Sequence, residues 1–242
     1  MNIFARTELV AGKEALEKLK NSRVAVFGIG GVGGYTVEAL VRSGVGALDL
    51  IDADTVSESN LNRQIIAVKD TLGMPKVEAA KERALSINPD ARIFTHNLFY
   101  SQETADMLDL SDYDYVVDAV DTVSAKTLII TRAQAAGVPV ISSMGTGNKL
   151  RPDLLQVTDI YKTSVCPLAR VMRGVLRKAG VSALKVVYSK EKPVSVDLSK
   201  LEGALPPGKH SVPGSTAFVP AAAGLLIAAE VFADITGLRG GE

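Results

Sequence analysis

Cysteine is almost absent: Cys166 is the only one in 242 residues. That excludes an intrachain disulfide framework, and it excludes a zinc site built from several thiolates. Histidine is nearly as scarce, with His96 and His210 alone, so no histidine-rich metal site is expected and zinc is not predicted. Net charge is absent too. The 27 acidic and 27 basic residues cancel, so no global field advertises a partner. Residues 1–20 are polar and charged and lack the apolar core of a secretion signal, which predicts a cytoplasmic protein. No long hydrophobic run occurs. The most apolar stretch, 216–229, contains Pro220, is followed by Glu230 and Asp234, and is shorter than the roughly 20 residues that span a bilayer. It reads as a buried core helix, with membrane contact the alternative.

What is present is a regular alternation of strand and helix. Strands are predicted at 24–27, 47–51, 92–98, 115–120 and 138–142, with helices at 32–43, 76–87 and 124–136. Residues 1–20 read as an arm plus a helix. The pattern predicts an α/β chain with a Rossmann-like, mainly parallel sheet and helices on both faces. After residue 150 it changes to strands at 155–161 and 184–188, a helix at 167–179, a long polar loop at 191–214 and a last helix at 219–235. This is a C-terminal α/β extension of the same sheet protein. The tail Leu238-Arg239-Gly240-Gly241-Glu242 superficially resembles the end of a ubiquitin-like carrier. Glu242 blocks the diglycine terminus that such carriers use.

Ligands of such sheets lie beyond the C-terminal strand ends. Gly28, Gly30 and Gly33 fit the G-x-G-x-x-G spacing between the first strand and its helix, where backbone N–H groups and the helix N-terminus meet phosphate. Asp52 ends the next strand, where a carboxylate holds a ribose hydroxyl. Both features serve NAD and ATP alike. Asp54, Asn60, Arg63, Gln64 and Lys76 follow in order, and Asp118 and Asp121 end the fourth strand. Two cations suit a triphosphate and its transferred charge better than a dinucleotide's pyrophosphate. A carboxylate at Asp118 or Asp121 suits Mg²⁺ bridging phosphates. The plain alternative is surface charge and helix capping, with Asp121 capping the helix near Ser124.

Gly28-Ile29-Gly30-Gly31-Val32-Gly33, Asp52-Ala53-Asp54, Ser59-Asn60-Leu61-Asn62-Arg63-Gln64, Gly73-Met74-Pro75-Lys76 and Asp118-Ala119-Val120-Asp121 together resemble the ubiquitin-activating-type adenylyltransferases, over about residues 6–145. The resemblance implies ATP-dependent adenylation of a carboxylate. It implies that Gly31, Asp52, Asn60, Arg63, Lys76 and Asp121 contact ATP or its Mg²⁺, with Asp121 the metal ligand. It further implies that Arg6 reaches the ATP of a neighbouring subunit in a homodimer. The expected catalytic set is Arg63, Lys76, Asp121 and Arg6. Thr122 departs from the asparagine many relatives carry at that position.

The sulfur-carrier-activating branch commonly carries paired Cys-x-x-Cys motifs, which this chain lacks. Thr163–Arg170, Leu184–Ser189 and Pro213–Pro220 resemble instead the tRNA threonylcarbamoyladenosine dehydratase branch. That branch activates the threonyl carboxylate of a modified adenosine, and the adduct then cyclises with loss of water. The implied partner is tRNA carrying threonylcarbamoyladenosine. A cysteine desulfurase or sulfur-acceptor system is a further expected partner. The residues agree on their own account: between 161 and 192, eight basic residues face one acid, a local net charge of +7. Arg170, Arg173, Arg177, Lys178, Lys185 and Lys190 are the RNA-binding candidates; a solvated helix face is the alternative. The expected division is an ATP-binding adenylation core over 1–150 and an extension over 151–242 carrying the RNA-facing segment, integral to the same domain. Rival readings are a sulfur-carrier-activating adenylyltransferase, a nicotinamide oxidoreductase and a non-catalytic nucleotide- or RNA-binding module. Cys166, before Pro167, reads either as inert packing or as a thiol at a helix N-terminus.

Overall fold

A computed structural model describes residues 3–197 and 213–239. His210, most of the 191–214 loop and the diglycine of the tail lie outside the described residues. Seven strands form one sheet in the order β3-β2-β1-β4-β5-β7-β6. They are β1 (Arg23–Phe27), β2 (Ala47–Ile51), β3 (Arg92–His96), β4 (Tyr115–Asp118), β5 (Val140–Ser143), β6 (Leu155–Asp159) and β7 (Lys185–Ser189). All neighbours run parallel except β6 and β7. The strands after residue 150 therefore extend the same sheet.

The helices are α1 (Ala5–Ala11), α2 (Lys13–Asn21), α3 (Gly33–Ser43), α4 (Lys76–Ile87), α5 (Val123–Ala135), α6 (Pro167–Lys178) and α7 (Phe218–Thr236). β1 shows how the two faces are covered. Val24 and Val26 join one apolar core with residues of α2, α3, α4 and α7. Ala25 and Phe27 join the other, with residues of α5, α6 and the 98–113 connection. Alternate side chains leave a strand on opposite faces, so a strand that is apolar throughout must be buried on both.

Most boundaries agree with the sequence reading, and the differences have local causes. The N-terminal helix is two helices, because Gly12 adopts φ 81 between them. β4 stops at Asp118, since the Val120 N–H turns back to the Asp118 carboxylate. β5 starts at Val140 because Val138 caps α5 through Ala133 O. α7 is longer than the apolar run that announced it. At 19 residues it is long and apolar enough, by length and composition, to cross a membrane. Pro220 does not interrupt it, because a first-turn proline lacks only an N–H that has no helical partner there. Val219, Ala223, Ile227 and Val231 are buried, and the helix meets α3 closely. A Cβ on Gly224 would lie 2.3 Å from Val32 O, and Thr36 Oγ1 donates to Gly224 O at 3.1 Å.

Candidate active site

The sheet order reverses between β1 and β4, and the crevice beyond those strands is where ligands of this architecture sit. The glycine loop starts there. Gly28 has φ +87, and a Cβ on it would lie 2.8 Å from the Ala119 carbonyl; a Cβ on Gly33 would lie 1.8 Å from Gly28 O. No other residue fits either position, so the loop folds flat across the end of β4 and α3 begins beneath it. Gly30 and Gly31 lie on the far side of the loop, facing Gln64 and Pro220 respectively.

Asp52 closes the other side. Its Oδ2 accepts from Ile29 N at 2.6 Å and its Oδ1 from Asp54 N at 2.8 Å. Burial pushes this carboxyl above the ordinary range, with the Lys76 ammonium and the two backbone donors opposing it. Lys76, the first residue of α4, is nearly buried; its Nζ lies 2.6 Å from Asp54 Oδ2 and 3.9 Å from Asp52 Oδ1. Asn60 is buried and locks the intervening turn, its Oδ1 accepting from Ser57 N at 3.1 Å. Gln64 is buried too, and its Oε1 has no hydrogen-bond partner. An unsatisfied buried acceptor costs about 1–3 kcal/mol. Arg63 donates from Nη1 to Ser59 O and to Asn62 Oδ1, both at 2.9 Å. Asn62 Nδ2 in turn donates to Ser215 O at 3.1 Å, tying this segment to the chain that enters α7.

The two carboxylates ending β4 part company. Asp121 is exposed and does not cap α5: Thr122 is the N-cap, without a side-chain bond. The partner found for Asp121 is the Thr122 hydroxyl at 3.4 Å. Asp118 corrects the expectation that it faces the nucleotide. It is fully buried, accepting from Lys126 Nζ at 2.9 Å, Ser142 Oγ at 2.5 Å and Val120 N at 3.3 Å. With both oxygens bonded inward it is not available to phosphate or metal. No cluster of three metal-ligating side chains occurs among the described residues.

Arg6 was expected at a neighbouring subunit's ATP, and its place in its own chain is elsewhere. It is exposed on α1, and Phe4, two residues before it, lies against Gly44 at the C-terminal end of α3. The glycine loop is at the N-terminal end of α3, about 16 Å of helix away at 1.5 Å per residue. Arg6 therefore does not join its own chain's site.

The basic segment divides by face. α6 buries Ala169, Met172 and Leu176 and exposes Arg170 and Lys178; Lys190, after β7, is also exposed. Arg173 is half-buried and donates to Thr163 O and Oγ1, while Arg177 lies 5.3 Å from the Tyr161 ring centroid. Lys185 corrects the RNA reading. It points from β7 towards α7, where Nζ lies 2.9 Å from Glu230 and 2.6 Å from Asp234. Cys166 is buried at the N-cap of α6 without a capping bond. A cavity of about 300 Å³ lies at the opposite, N-terminal end of the strands, beside Ser22, Asp114 and Tyr115. Its carboxylates are already engaged: Asp114 with Arg23 N, and Asp234 with Tyr115 and Lys185.

Sequence reasoning missed Asn62, which orients Arg63, and Lys126, which is fully buried. Lys126 left a signal. It occupies the stripe Lys126, Ile129, Ile130, Ala133 that α5 buries, where an apolar residue is expected.

Comparison with known proteins agrees with this geometry. The ThiF family model matches residues 4–240. The chain is 42% identical over 243 residues to tRNA threonylcarbamoyladenosine dehydratase of Bacillus subtilis, covering 96% of this chain and 94% of that protein. The crystal structure of Escherichia coli tRNA N6-threonylcarbamoyladenosine dehydratase in complex with ATP superposes with a TM-score of 0.86 at 31% identity, covering 97% of this chain and 93% of the other. The same enzyme in complex with AMP gives 0.86 at 30% identity, covering 97% and 94%.

Proposed function

The chain belongs to the ThiF family, and from that premise we propose that it spends ATP to activate the threonyl carboxylate of threonylcarbamoyladenosine in tRNA, which then cyclises with loss of water. The observation that carries the reading is the glycine loop at the switch in strand order, with Asp52 bonded to Ile29 N, Lys76 3.9 Å from Asp52 and the stem of Arg63 beside Gly31. A nicotinamide site needs the loop and Asp52 but has no use for the two cations. The likeness to the dehydratases spans essentially the whole chain, including the segments after residue 150 that carry no adenylation motif. That favours the tRNA adduct over a sulfur-carrier terminus.

A carboxylate is a poor acylating group because its oxygen leaves badly. Its attack on the α-phosphorus forms a new P–O bond, breaks the bond to the β-phosphate and releases pyrophosphate. A nucleophilic atom of the same modified nucleoside then attacks the acyl carbon. AMP leaves, carrying one oxygen of the original carboxylate. The glycine loop and the N-terminus of α3 hold phosphate through backbone N–H groups. Asp52 accepts from a ribose hydroxyl, and Gln64 lies beside the loop with its Nε2 towards Gly30. Asn60 keeps the turn in register, and Asp54 holds the Lys76 ammonium until phosphate arrives. Arg63 and Lys76 neutralise charge building on the α-phosphate.

A lone exposed carboxylate fits Mg²⁺, which usually takes one or two protein carboxylates and completes its shell with phosphate and water. Asp121 would hold that ion, which would supply neutralisation of phosphate charge. Arg6, remote from its own site, completes the site of a second copy in a homodimer. Arg170, Arg177, Lys178 and Lys190, all exposed, with the half-buried Arg173 beside them, meet tRNA phosphates. Residues 1–150 and 151–242 thus divide the work, nucleotide chemistry and RNA contact, within one domain. The enzyme works in the cytoplasm. The test is nucleoside mass analysis after incubation with ATP, Mg²⁺ and tRNA bearing the adduct: loss of one water supports the reading, and an unchanged nucleoside refutes it.

A further inference from the structure

We infer that Lys126 is a positioning residue for Asp121, an inference that rests on the reading of Asp121 as the carboxylate that meets Mg²⁺·ATP. Lys126 has no exposed surface, so it touches no substrate. Its ammonium has three protons and three oxygen partners: Ser143 O at 2.8 Å, Asp118 Oδ2 at 2.9 Å and Val120 O at 3.0 Å. Its own backbone N–H donates to Thr122 O at 2.9 Å. One residue therefore holds the carbonyls on both sides of Asp121, Val120 through the side chain and Thr122 through the main chain. Asp121 itself has no anchor beyond its long bond to Thr122 Oγ1. The same ammonium ties the end of β4 to the end of β5.

A buried ion pair is an expensive way to fill a core, and apolar residues of similar volume often stabilise as well or better. The α5 stripe offers an apolar neighbourhood in which methionine would pack. What methionine would not supply is a hydrogen bond to Val120 O. The loop between β4 and α5 would keep the packing of Gly28 on Ala119 and Val120 N, the Ala119 N–H to Phe27 O bond at 2.8 Å and the Val120 N–H to Asp118 Oδ1 bond at 3.3 Å, and would lose the side-chain bond to the Val120 carbonyl. The carboxylate at position 121 would swing over a wider arc, and the arrangement that Mg²⁺ requires would be populated less often.

The experiment compares the full-length protein with Lys126→Met, with the charge-neutral pair Asp118→Asn/Lys126→Met, and with Asp121→Ala. Each is measured for thermal unfolding, for kcat, and for the Mg²⁺ concentration giving half-maximal cyclisation. Lys126→Met strands Asp118 and loses stability as well as rate. The neutral pair regains stability, yet keeps a kcat lowered on the order of 10–100-fold and a several-fold higher Mg²⁺ requirement, with the tRNA KM unchanged. A neutral pair that recovers wild-type kcat and Mg²⁺ requirement overturns the inference. Asp121→Ala separates the two readings: an inactive Asp121→Ala beside a fully active neutral pair removes the role of Lys126 alone, while an active Asp121→Ala removes the reading of Asp121 and this inference with it. A measurement without substitution guards against poor folding. With ¹⁵N-labelled lysine, the buried ammonium gives a slowly exchanging Nζ–H signal. Positioning predicts that this signal shifts with Mg²⁺·ATP and much less with ATP alone. A signal unmoved by Mg²⁺·ATP contradicts it.

Discussion

The Nζ of Lys76 lies 2.6 Å from Oδ2 of Asp54, and the two side chains differ sharply in exposure, 7% against 72%. A nearly buried ammonium has taken a solvent-facing carboxylate as its partner. Exposed carboxylates bind weakly, at about 0–1 kcal/mol per pair, so a triphosphate displaces Asp54 at little cost. Lys76→Met is expected to lower kcat about 10²–10³-fold in a cyclisation assay, the usual range for removing one donor to developing charge. Asp54→Asn is expected to change the ATP KM by only a few-fold. Equal losses in the two variants would mean that the pair, and not the ammonium, is what the site needs.

Arg63 and Asn62 form the second relationship with a functional consequence. Asn62 accepts from Arg63 and donates to Ser215 O, so it orients the guanidinium without reaching phosphate itself. Arg63→Ala should cost about 10²–10³-fold in kcat/KM. Asn62→Ala should cost on the order of 10-fold, with the defect in kcat, because the cation remains but is misplaced. Steady-state kinetics in ATP distinguishes the two.

The basic segment predicts a split between binding and stability. Arg170→Ala combined with Lys178→Ala should raise the tRNA KM and flatten its dependence on salt, by about one unit of log–log slope for each phosphate no longer neutralised. Lys185→Ala should leave the tRNA KM alone and lower the unfolding temperature. It removes one cation from a part-exposed cluster in which Arg239 still faces Glu230 and Asp234 and Tyr115 still donates to Asp234, so the cost is about 1 kcal/mol.

Acid stability should carry the signature of Asp49. Burial raises its pKa, but hydrogen bonds from His96 and Arg23 outweigh that and hold the carboxyl below its ordinary range. A carboxylate with a depressed folded pKa contributes stability above the unfolded value of about 3.9, and that stability is lost as pH falls through the folded pKa. Acid unfolding of the wild type should therefore steepen below about pH 4. Asp49→Asn should be less stable at neutral pH by about 2 kcal/mol and show a shallower acid slope. Parallel acid curves for the two proteins would remove Asp49 from the account.

Much of this architecture was legible because the sheet is buried on both faces. The 47–51 strand and the 76–87 helix agree with the structure to the residue. The glycine loop and the Ser59–Gln64 segment are chemically unmistakable in order and spacing. What was not legible is direction. Asp118 and Asp121 stand three positions apart on either side of a strand end, and nothing in their spacing says that the first turns into the core to meet a lysine from the next helix. Lys185 belongs to a basic run by composition, yet strand alternation sends it to the face covered by α7. In each case the deciding partner sits on another element, Lys126 of α5 for Asp118 and Asp234 of α7 for Lys185.

The most direct test of carboxylate adenylation follows an atom. tRNA is prepared with heavy oxygen in the threonyl carboxylate of its threonylcarbamoyladenosine and incubated with the protein, Mg²⁺ and ordinary ATP. If the carboxylate attacks the α-phosphate, the AMP released carries one heavy oxygen for each nucleoside cyclised from doubly labelled carboxylate, and the pyrophosphate carries none. Heavy oxygen found in water or pyrophosphate, with AMP unlabelled, would contradict the account.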